Sequence, residues 1–280
     1  MLQRTPAPFS IRADAGVRLR FGRAGQRTVR LQAAEWGGYR ARFPEPHTGP
    51  CEAVLINTGG GMTGGDRFVA DIVAEPASTV VVTTQAAEKI YRSDGPATEV
   101  TARLQVGEGA CLHWLPQEAI LFDRAVLKRQ LEADIATDAT LLLCESVYFG
   151  RFAMGELLQT GVFHDRWRVR RGGRLVFAED ARLDGEISRL LERRAIAAGA
   201  RAMATMVMIA PEAEQRLDEV RASLLVGSGD VSATPQIAAG AHNGLLIARL
   251  LSHDAAALRR ELCKLITMLA GRALPQSWQT

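Results

Sequence analysis

Alternation of apolar and polar residues is the strongest pattern along the chain, and it predicts β-strands. In Thr98–Val106 every second residue from Val100 onward is apolar, and the residues between them are polar or charged. The segments Leu131–Ile135 and Phe163–Val169 alternate in the same way, although the second carries Asp165 on its apolar face. Each segment is therefore expected to bury one face of a sheet and to expose the other.

Two glycine-containing turns predict β-hairpins between such strands. Gly172-Gly173 separates one strand from the next apolar run, and Asn243-Gly244 separates another pair of runs near the end of the chain. These dipeptides favour the tight turns of two-residue hairpin loops. Ala202–Ala210 is apolar at almost every position, as expected for a strand that is covered on both faces.

Helical patterns occur only in the last quarter of the chain. Glu212–Leu225 follows a proline that suits the start of a helix, and Asp254–Leu269 begins at a capping residue and has apolar residues at helical spacing. Many strands followed by a pair of helices predict a mainly β protein. Because no linker or low-complexity segment interrupts the pattern, a single domain is predicted over residues 1–280.

Composition and charge argue against several classes of protein. The formal net charge is only +3, and the basic run Arg166–Arg174 alternates with apolar residues like the wet face of a strand, so nucleic-acid binding is not expected. No segment approaches the roughly 18 uninterrupted apolar residues of a membrane span, and the first residues lack a signal sequence. The four cysteines are far apart and contain no CxxC pair, which predicts reduced, mostly buried thiols in a cytoplasmic protein.

The segment Asn57–Arg67 (NTGGGMTGGDR) contains five glycines and raises the question of a phosphate-binding loop. Such a loop opens a helix and continues with Lys-Ser or Lys-Thr, whereas here Asp66 and Arg67 follow the last glycine and Phe68–Ala74 is typical of a strand. We therefore interpret the segment as a tight connection between strands. Its glycines would allow the close approach of another segment, and Asp66 would be held at a fixed position.

Seven carboxylates interrupt apolar segments or lie at the ends of strands, and they are the candidate site residues. They are Asp66, Glu118, Asp123, Glu145, Glu156, Glu179 and Asp180. A buried carboxylate must be paired, hydrogen-bonded or bound to a metal. Two interpretations remain open: structural ion pairs with neighbouring arginines, or an acidic interior that suits a divalent cation in transit.

The sequence gives less support for a catalytic site than for an acidic interior. Neither GxSxG nor HExxH occurs, and the five histidines are scattered without ligand spacing. His47 and Cys51 are a candidate soft-metal pair, but ordinary loop contacts explain them as well. An enzyme that uses paired carboxylates in a cleft to act on sugars or nucleotides is the alternative hypothesis.

Five segments, in the same order along the chain, resemble the urease accessory protein D family, called H in some bacteria. They are LINTGGGMTGGDRF (Leu55–Phe68), TTQAAEKIYRS (Thr83–Ser93), WLPQEAILFDRA (Trp114–Ala125), ESVYFGRFAMGE (Glu145–Glu156) and the terminus Leu274–Thr280. Several motifs in one order are far more specific than any one of them, and together they cover nearly the whole chain.

The resemblance implies a fold and a function. It implies a β-helix-like fold of stacked strands with a pair of helices, and a non-enzymatic scaffold in nickel-dependent maturation of urease. The implied partners are the accessory proteins F and G and the urease apoprotein, and the implied cargo is a nickel ion in transit without a tight site. The matching polar positions are Asp66, Lys89, Arg92, Glu118, Asp123, Glu145, Arg151 and Glu156, and Glu179 and Asp180 are added on composition alone. The carboxylates are expected to face a passage and the bases Lys89, Arg92 and Arg151 to pair with them.

Overall fold

The structure is a computed structural model that describes residues 12–44, 49–151, 154–225 and 235–279. Its strands are β1 (Asp14–Ala24), β2 (Arg27–Trp36), β3 (Tyr39–Arg42), β4 (Cys51–Asn57), β5 (Arg67–Ala74), β6 (Thr79–Thr84), β7 (Glu88–Ile90), β8 (Thr98–Val106), β9 (Cys111–Leu115), β10 (Ala119–Leu121), β11 (Val126–Ile135), β12 (Thr140–Arg151), β13 (Glu156–Leu157), β14 (Gly161–Arg171), β15 (Arg174–Gly185), β16 (Ala202–Ile209), β17 (Gln236–His242) and β18 (Leu245–Ser252). Its α-helices are α1 (Ile187–Leu191), α2 (Leu217–Leu225) and α3 (Ala255–Ala270), with 3₁₀ turns at Ala213–Arg216 and Gln276–Trp278.

The strands form two stacked sheets. Within the described segments the first sheet has seven strands in the order β15-β14-β11-β8-β5-β1-β2, and the second has eleven, with β17-β18-β16-β12-β9-β6-β4-β3 as its main path. From β4 to β14 the chain passes back and forth between the two sheets, so that β5, β8, β11 and β14 lie parallel in one sheet and β4, β6, β9 and β12 lie parallel in the other. These stacked coils confirm the mainly β, β-helix-like fold.

Hairpins close the stack of parallel strands at both ends of the first sheet. β1 pairs with β2 and β14 pairs with β15 in antiparallel register. The second sheet is extended in the same manner by the antiparallel strands β16 and β18 on one side and by β3 on the other. The predicted hairpin turns at Gly172-Gly173 and Asn243-Gly244 join β14 to β15 and β17 to β18.

A continuous apolar core lies between the sheets. It consists of the alternate residues of each strand, as the period-two pattern predicts, and its largest buried side chains include Trp167, Phe21, Phe149 and Phe163. Phe149 of the second sheet and Phe163 of the first make an edge-to-face contact, with ring centroids 5.4 Å apart. Each such side chain contributes about 1.5–3 kcal/mol through burial.

The helix α3 covers the outer face of the second sheet. Its apolar stripe, which includes Leu258, Leu262 and Ile266, forms a second core with outward-facing residues of β12, β16 and β18. β16 is therefore covered on both faces, which confirms the interpretation of its continuous apolar run. Asp254 caps the helix as predicted, because its Oδ1 accepts a hydrogen bond of 2.8 Å from the Ala256 N–H.

The other helices differ in detail from the prediction. The segment predicted as one helix from Glu212 begins with a 3₁₀ turn, and α2 follows it. The short helix α1 was not predicted, since five residues give too little periodicity to recognise. None of the helices in the described ranges is long and apolar enough to cross a bilayer.

All four cysteines lie in described segments and are free, but only Cys144 is fully buried. Cys51, Cys111 and Cys263 are partly exposed, so the expectation of mostly buried thiols was wrong. Cys51 and Cys111 are the first residues of β4 and β9, where the cover by neighbouring elements is incomplete. His47, the proposed partner of Cys51, lies outside the described residues.

The glycine-rich connection from Asn57 to Arg67 leads from β4 directly into β5, with no helix. A Cβ added at Gly64 would lie 2.5 Å from the Pro96 carbonyl oxygen, and one added at Gly61 would overlap the Tyr91 ring and lie 2.9 Å from the Lys89 carbonyl oxygen. The glycines therefore allow residues 88–97 to approach closely, which confirms the interpretation as a tight connection between strands.

We expect Gly64→Ala to lower the free energy of unfolding by about 1–3 kcal/mol, because the new methyl group meets backbone atoms that cannot move aside. Gly240→Ala in β17 is the matched control, because a Cβ there meets nothing within 4 Å and the backbone is not strained. The control should change the free energy by at most about 1 kcal/mol. Urea denaturation measures both, and equal losses would contradict the close approach.

Candidate functional site

Three charged side chains meet in the apolar core between the sheets. Arg129 of β11 binds Asp165 of the neighbouring strand β14 through two hydrogen bonds, Nε to Oδ1 at 3.0 Å and Nη2 to Oδ2 at 2.6 Å. Its Nη1 donates to Oε2 of Glu145, which belongs to β12 in the opposite sheet. The three residues are 9%, 6% and 6% exposed in the order Arg129, Asp165, Glu145. We call them the buried triad.

Two tryptophans complete the hydrogen bonding of the buried triad. The indole Nε1 of Trp114 donates to Glu145 Oε1 at 2.9 Å, and that of Trp167 donates to Asp165 Oδ1 at 3.0 Å. Both rings are themselves buried. Each carboxylate oxygen of the buried triad therefore has a donor, as buried charges require.

The buried triad contains two carboxylates and one guanidinium, so it has an excess of one negative charge. Burial raises the pKa of Glu145, and the neighbouring Arg129 only partly offsets that effect. Burial alone would lower the pKa of Arg129, but Asp165 and Glu145 outweigh it and raise the pKa, so the guanidinium stays charged. The excess negative charge is therefore neutralised most easily if Glu145 takes up a proton or if a cation binds beside it.

Further acidic groups lie on either side of the buried triad within the same layer. On one side, the carboxylate of Glu88 accepts a hydrogen bond of 3.1 Å from Asn57, and burial raises its pKa. The Tyr39 hydroxyl is near both Glu88 and Glu145, because burial raises its pKa and both carboxylates add to that effect. On the other side, Glu179 of β15 pairs with Arg249 of β18, and burial raises the pKa of Glu179.

The pairing register explains why Glu145 and Arg249 point to the same side of the second sheet. Glu145, Thr205 and Arg249 are successive partners across β12, β16 and β18, so their side chains share one face of the second sheet. An open cavity of about 400 Å³ between the sheets is lined by Thr205 and Arg249. We refer to Glu88, Tyr39, the buried triad, Glu179 and Arg249 together as the polar layer.

Asp66 lies outside the polar layer and binds the backbone. Its Oδ1 accepts a hydrogen bond of 2.8 Å from the Ala13 N–H, and its Oδ2 accepts one of 2.8 Å from the Thr63 N–H. Asp66 is 6% exposed and fastens the glycine-rich connection to the start of β1.

Glu118 lies on the outer side of the second sheet, under the C-terminal segment. It pairs with Arg259 of α3 at 2.8 Å. The same guanidinium donates to the Gln117 side chain and to the Trp278 carbonyl, and it lies 5.0 Å from the Trp278 ring centroid. Glu118 thus takes part in attaching α3 and the terminal segment to the sheet.

Asp123 and Glu156 meet at an open cleft of about 660 Å³ at the edge of the fold. The Asp123 N–H donates to Glu156 Oε1 at 3.0 Å, and this bond, followed by the effect of Arg151, lowers the pKa of Glu156. Asp123 Oδ1 accepts from the backbone N–H groups of residues 159 and 160. Arg151 pairs with Glu156, while Arg92 lines the cleft and is exposed.

Glu179 and Asp180 are neighbours on β15 and therefore point to opposite sides of the sheet. Asp180 is on the solvent side, where His164 Nε2 lies 2.8 Å from its Oδ1, and this hydrogen bond lowers the pKa of Asp180. Lys89 is exposed on β7.

The seven predicted carboxylates thus occupy several separate places. Glu145 and Glu179 belong to the polar layer, and Asp123 and Glu156 share the open cleft. Asp66, Glu118 and Asp180 each lie at a separate place. Of the predicted basic partners, Arg151 pairs with a predicted carboxylate. Over the described ranges, no group of three or more His, Cys, Asp or Glu side chains is placed to hold a metal ion.

Comparison with known proteins identifies the family. The sequence model described as UreD urease accessory protein matches residues 13–279. A urease accessory protein UreD from Methylobacterium sp. (strain 4-46) is 46% identical over 99% of this chain and 98% of its own length. One from Rhodopseudomonas palustris (strain HaA2) is 47% identical over 96% of this chain and 91% of its own length.

The chain belongs to the UreD urease accessory protein family. The resemblance carried by the five ordered segments is thereby confirmed. The relatives are named as accessory proteins of urease, not as enzymes, which is consistent with a non-enzymatic role.

The site residues predicted from the sequence do not include four charged residues of the polar layer: Arg129, Asp165, Glu88 and Arg249. A signal existed for the first two, because Arg129 continues the apolar face of Leu131 and Ala133, and Asp165 lies on the apolar face of its own strand. A charge in the buried register of a strand needs a partner. Glu88 interrupts a partly apolar segment, but its strand has only three residues, so the sequence does not show to which side the carboxylate points. Arg249 lies in an apolar run whose inward face is ambiguous.

We expect Arg129→Met to lower the free energy of unfolding by about 3–5 kcal/mol at neutral pH, because two buried carboxylates lose their counter-charge. A carboxyl group with a higher pKa in the folded than in the unfolded state binds its proton more tightly when folded, so stability falls as the pH rises through that interval. Losing Arg129 raises the pKa of Glu145 further. The deficit relative to the wild type should therefore be largest near pH 8 and should shrink towards about pH 5.

The control is Arg103→Met, which removes an exposed ion pair with Asp71 in the same sheet. Its cost should be at most about 1 kcal/mol. Urea denaturation at several pH values measures both variants. A deficit for Arg129→Met that does not change with pH would contradict the assignment of an excess buried negative charge.

Proposed function

We propose that this protein is a non-enzymatic scaffold that delivers nickel to the urease apoprotein, in complex with the accessory proteins F and G in the cytoplasm. Membership of the UreD family supports a role in urease maturation. The nickel ion is cargo in transit, and no tightly bound cofactor is expected.

The observation that carries the proposal is the buried triad with its excess negative charge. Ion pairs in a core are weak evidence for stability, because well-packed apolar residues of similar volume are often as good or better. Two carboxylates around one guanidinium, buried between sheets, therefore call for another explanation. A passing divalent cation would supply the missing positive charge.

The chemistry of the polar layer suits an ion that must also leave. Its ligands would be carboxylate and hydroxyl oxygens, which bind nickel less firmly than a cage of histidine and cysteine would. The raised pKa values of Glu88, Glu145 and Glu179 support the same idea, because each group is already poorly compensated in its charged form. Weak, successive sites favour transfer over storage.

The alternative, an enzyme that uses paired carboxylates, has less support from the geometry. Such an enzyme needs two carboxyl groups free to act in a cleft. Asp123 and Glu156 do share a cleft, but backbone N–H groups and Arg151 occupy Oδ1 of Asp123 and both carboxylate oxygens of Glu156. Glu145 and Asp165 are enclosed by Arg129 and two tryptophans.

The test uses three substitutions that remove charge and keep shape: Glu145→Gln, Asp165→Asn and Glu179→Gln. Each variant is co-expressed with urease and the F and G proteins. We expect less nickel in the urease and lower urease activity, because the negative charge that would attract the cation is reduced. The complex with F and G should still be recovered in normal yield, because none of these side chains lies on the outer surface.

Glu99→Gln is the matched control, since Glu99 lies on the solvent side of the first sheet and is half exposed. It should leave the nickel content of urease unchanged. If all three core variants activate urease as well as Glu99→Gln does, the polar layer is not the route. If the wild-type protein neither joins F and G nor supports activation, the whole proposal is wrong.

A further inference from the structure

A cavity of about 850 Å³ opens at one end of the fold, away from the polar layer. It lies where the β1–β2 hairpin, the first residues of β4 and β6, and the segment after α3 come together. Its volume falls in the range of small-molecule pockets, roughly 300–1,000 Å³.

Three arginines line this cavity: Arg23 and Arg27 from the hairpin, and Arg272 from the segment after α3. None of their side chains forms a hydrogen bond or ion pair with a residue that the structure describes. Glu52 is the acidic residue of the lining, and it forms no ion pair with them. Burial raises its pKa, and even in its charged form it would offset only one of the three positive charges.

Buried polar atoms behind the cavity wall also lack partners. The Nε of Arg272 is buried without a hydrogen-bond partner in the described segments, and the same holds for Nδ1 of His113. Burial and the nearby Arg272 lower the pKa of His113 to about 4, so the ring is neutral and adds no competing charge at neutral pH. Buried donors without acceptors are rare and call for a missing partner.

Arg272 alone has a simpler explanation, because a cation near the C-terminus of α3 interacts favourably with the helix dipole. That explanation does not extend to Arg23 and Arg27, which belong to a hairpin of the first sheet. The helix end contributes roughly half a negative charge, whereas the guanidiniums contribute three positive ones. The cavity is therefore positive.

We propose that this cavity binds a small anion with two or more carboxylate or phosphate groups, held by Arg23, Arg27 and Arg272. Guanidinium groups suit both kinds of oxyanion because their N–H donors form a planar fork. A free metal cation would be repelled. The proposal does not depend on nickel delivery, since it concerns a different end of the fold.

The test is isothermal titration of the purified full-length protein with pyrophosphate and with citrate at constant ionic strength, with chloride as the reference anion. We expect saturable binding of at least one of them. Arg272→Gln and Arg27→Gln should each weaken that binding by roughly tenfold to a hundredfold, as the loss of one charge-assisted hydrogen bond implies. Arg260→Gln, which removes an exposed positive charge of α3 outside the cavity, should leave the affinity unchanged.

Thermal unfolding of each variant verifies that the fold is intact, and two variants from different elements keep the test valid if one of them is destabilised. The proposal is overturned if neither anion binds in a saturable manner, or if Arg260→Gln weakens binding as much as the cavity variants do. It is also overturned if a short acidic peptide binds more tightly than both small anions, because the cavity would then be a protein-docking surface.

Discussion

The guanidinium of Arg129 lies between two carboxylates that come from opposite sheets, and the arrangement of the core depends on this contact. Side chains alternate between the faces of a strand, so a shift of one residue in β11 would move Arg129 to the solvent side and leave Asp165 and Glu145 unpaired in the core. The apolar residues around Arg129 can repack after a small change, whereas a buried carboxylate cannot replace a lost counter-charge. The ion pairs thus specify one register for β11, β12 and β14.

The outward face of the second sheet is determined by the same register. With the inward face of the second sheet fixed, its outward face presents the apolar residues that α3 covers. The Trp278 side chain closes the same face, where its indole N–H donates to Thr83 Oγ1 at 3.0 Å and to the Leu115 carbonyl at 3.1 Å. The strands of the second sheet therefore contribute charged groups to the core between the sheets and apolar side chains to the second core under α3.

Local patterns predicted the fold well but the site only in part. Period two, the glycine turns and the cap at Asp254 are local properties, and the structure keeps them. The meeting of Glu145 with Arg129 and Asp165 depends on how the coils stack, and residues far apart in the sequence become neighbours only through that stacking. Asp66 is a second example, because one of the two backbone N–H groups that bind its carboxylate belongs to Ala13, which the sequence does not place beside it.

The hairpins at the two ends of the first sheet have a consequence for self-association. A stack of parallel coils with bare ends could add further coils from another molecule, as fibres do, through unpaired backbone groups. Here the outermost strands, β2 and β15, are antiparallel to their neighbours β1 and β14. They carry exposed charged residues such as Arg27, Arg30, Arg174 and Asp180. A second copy that met either edge would have to bury these charged side chains, so end-to-end polymerisation is disfavoured.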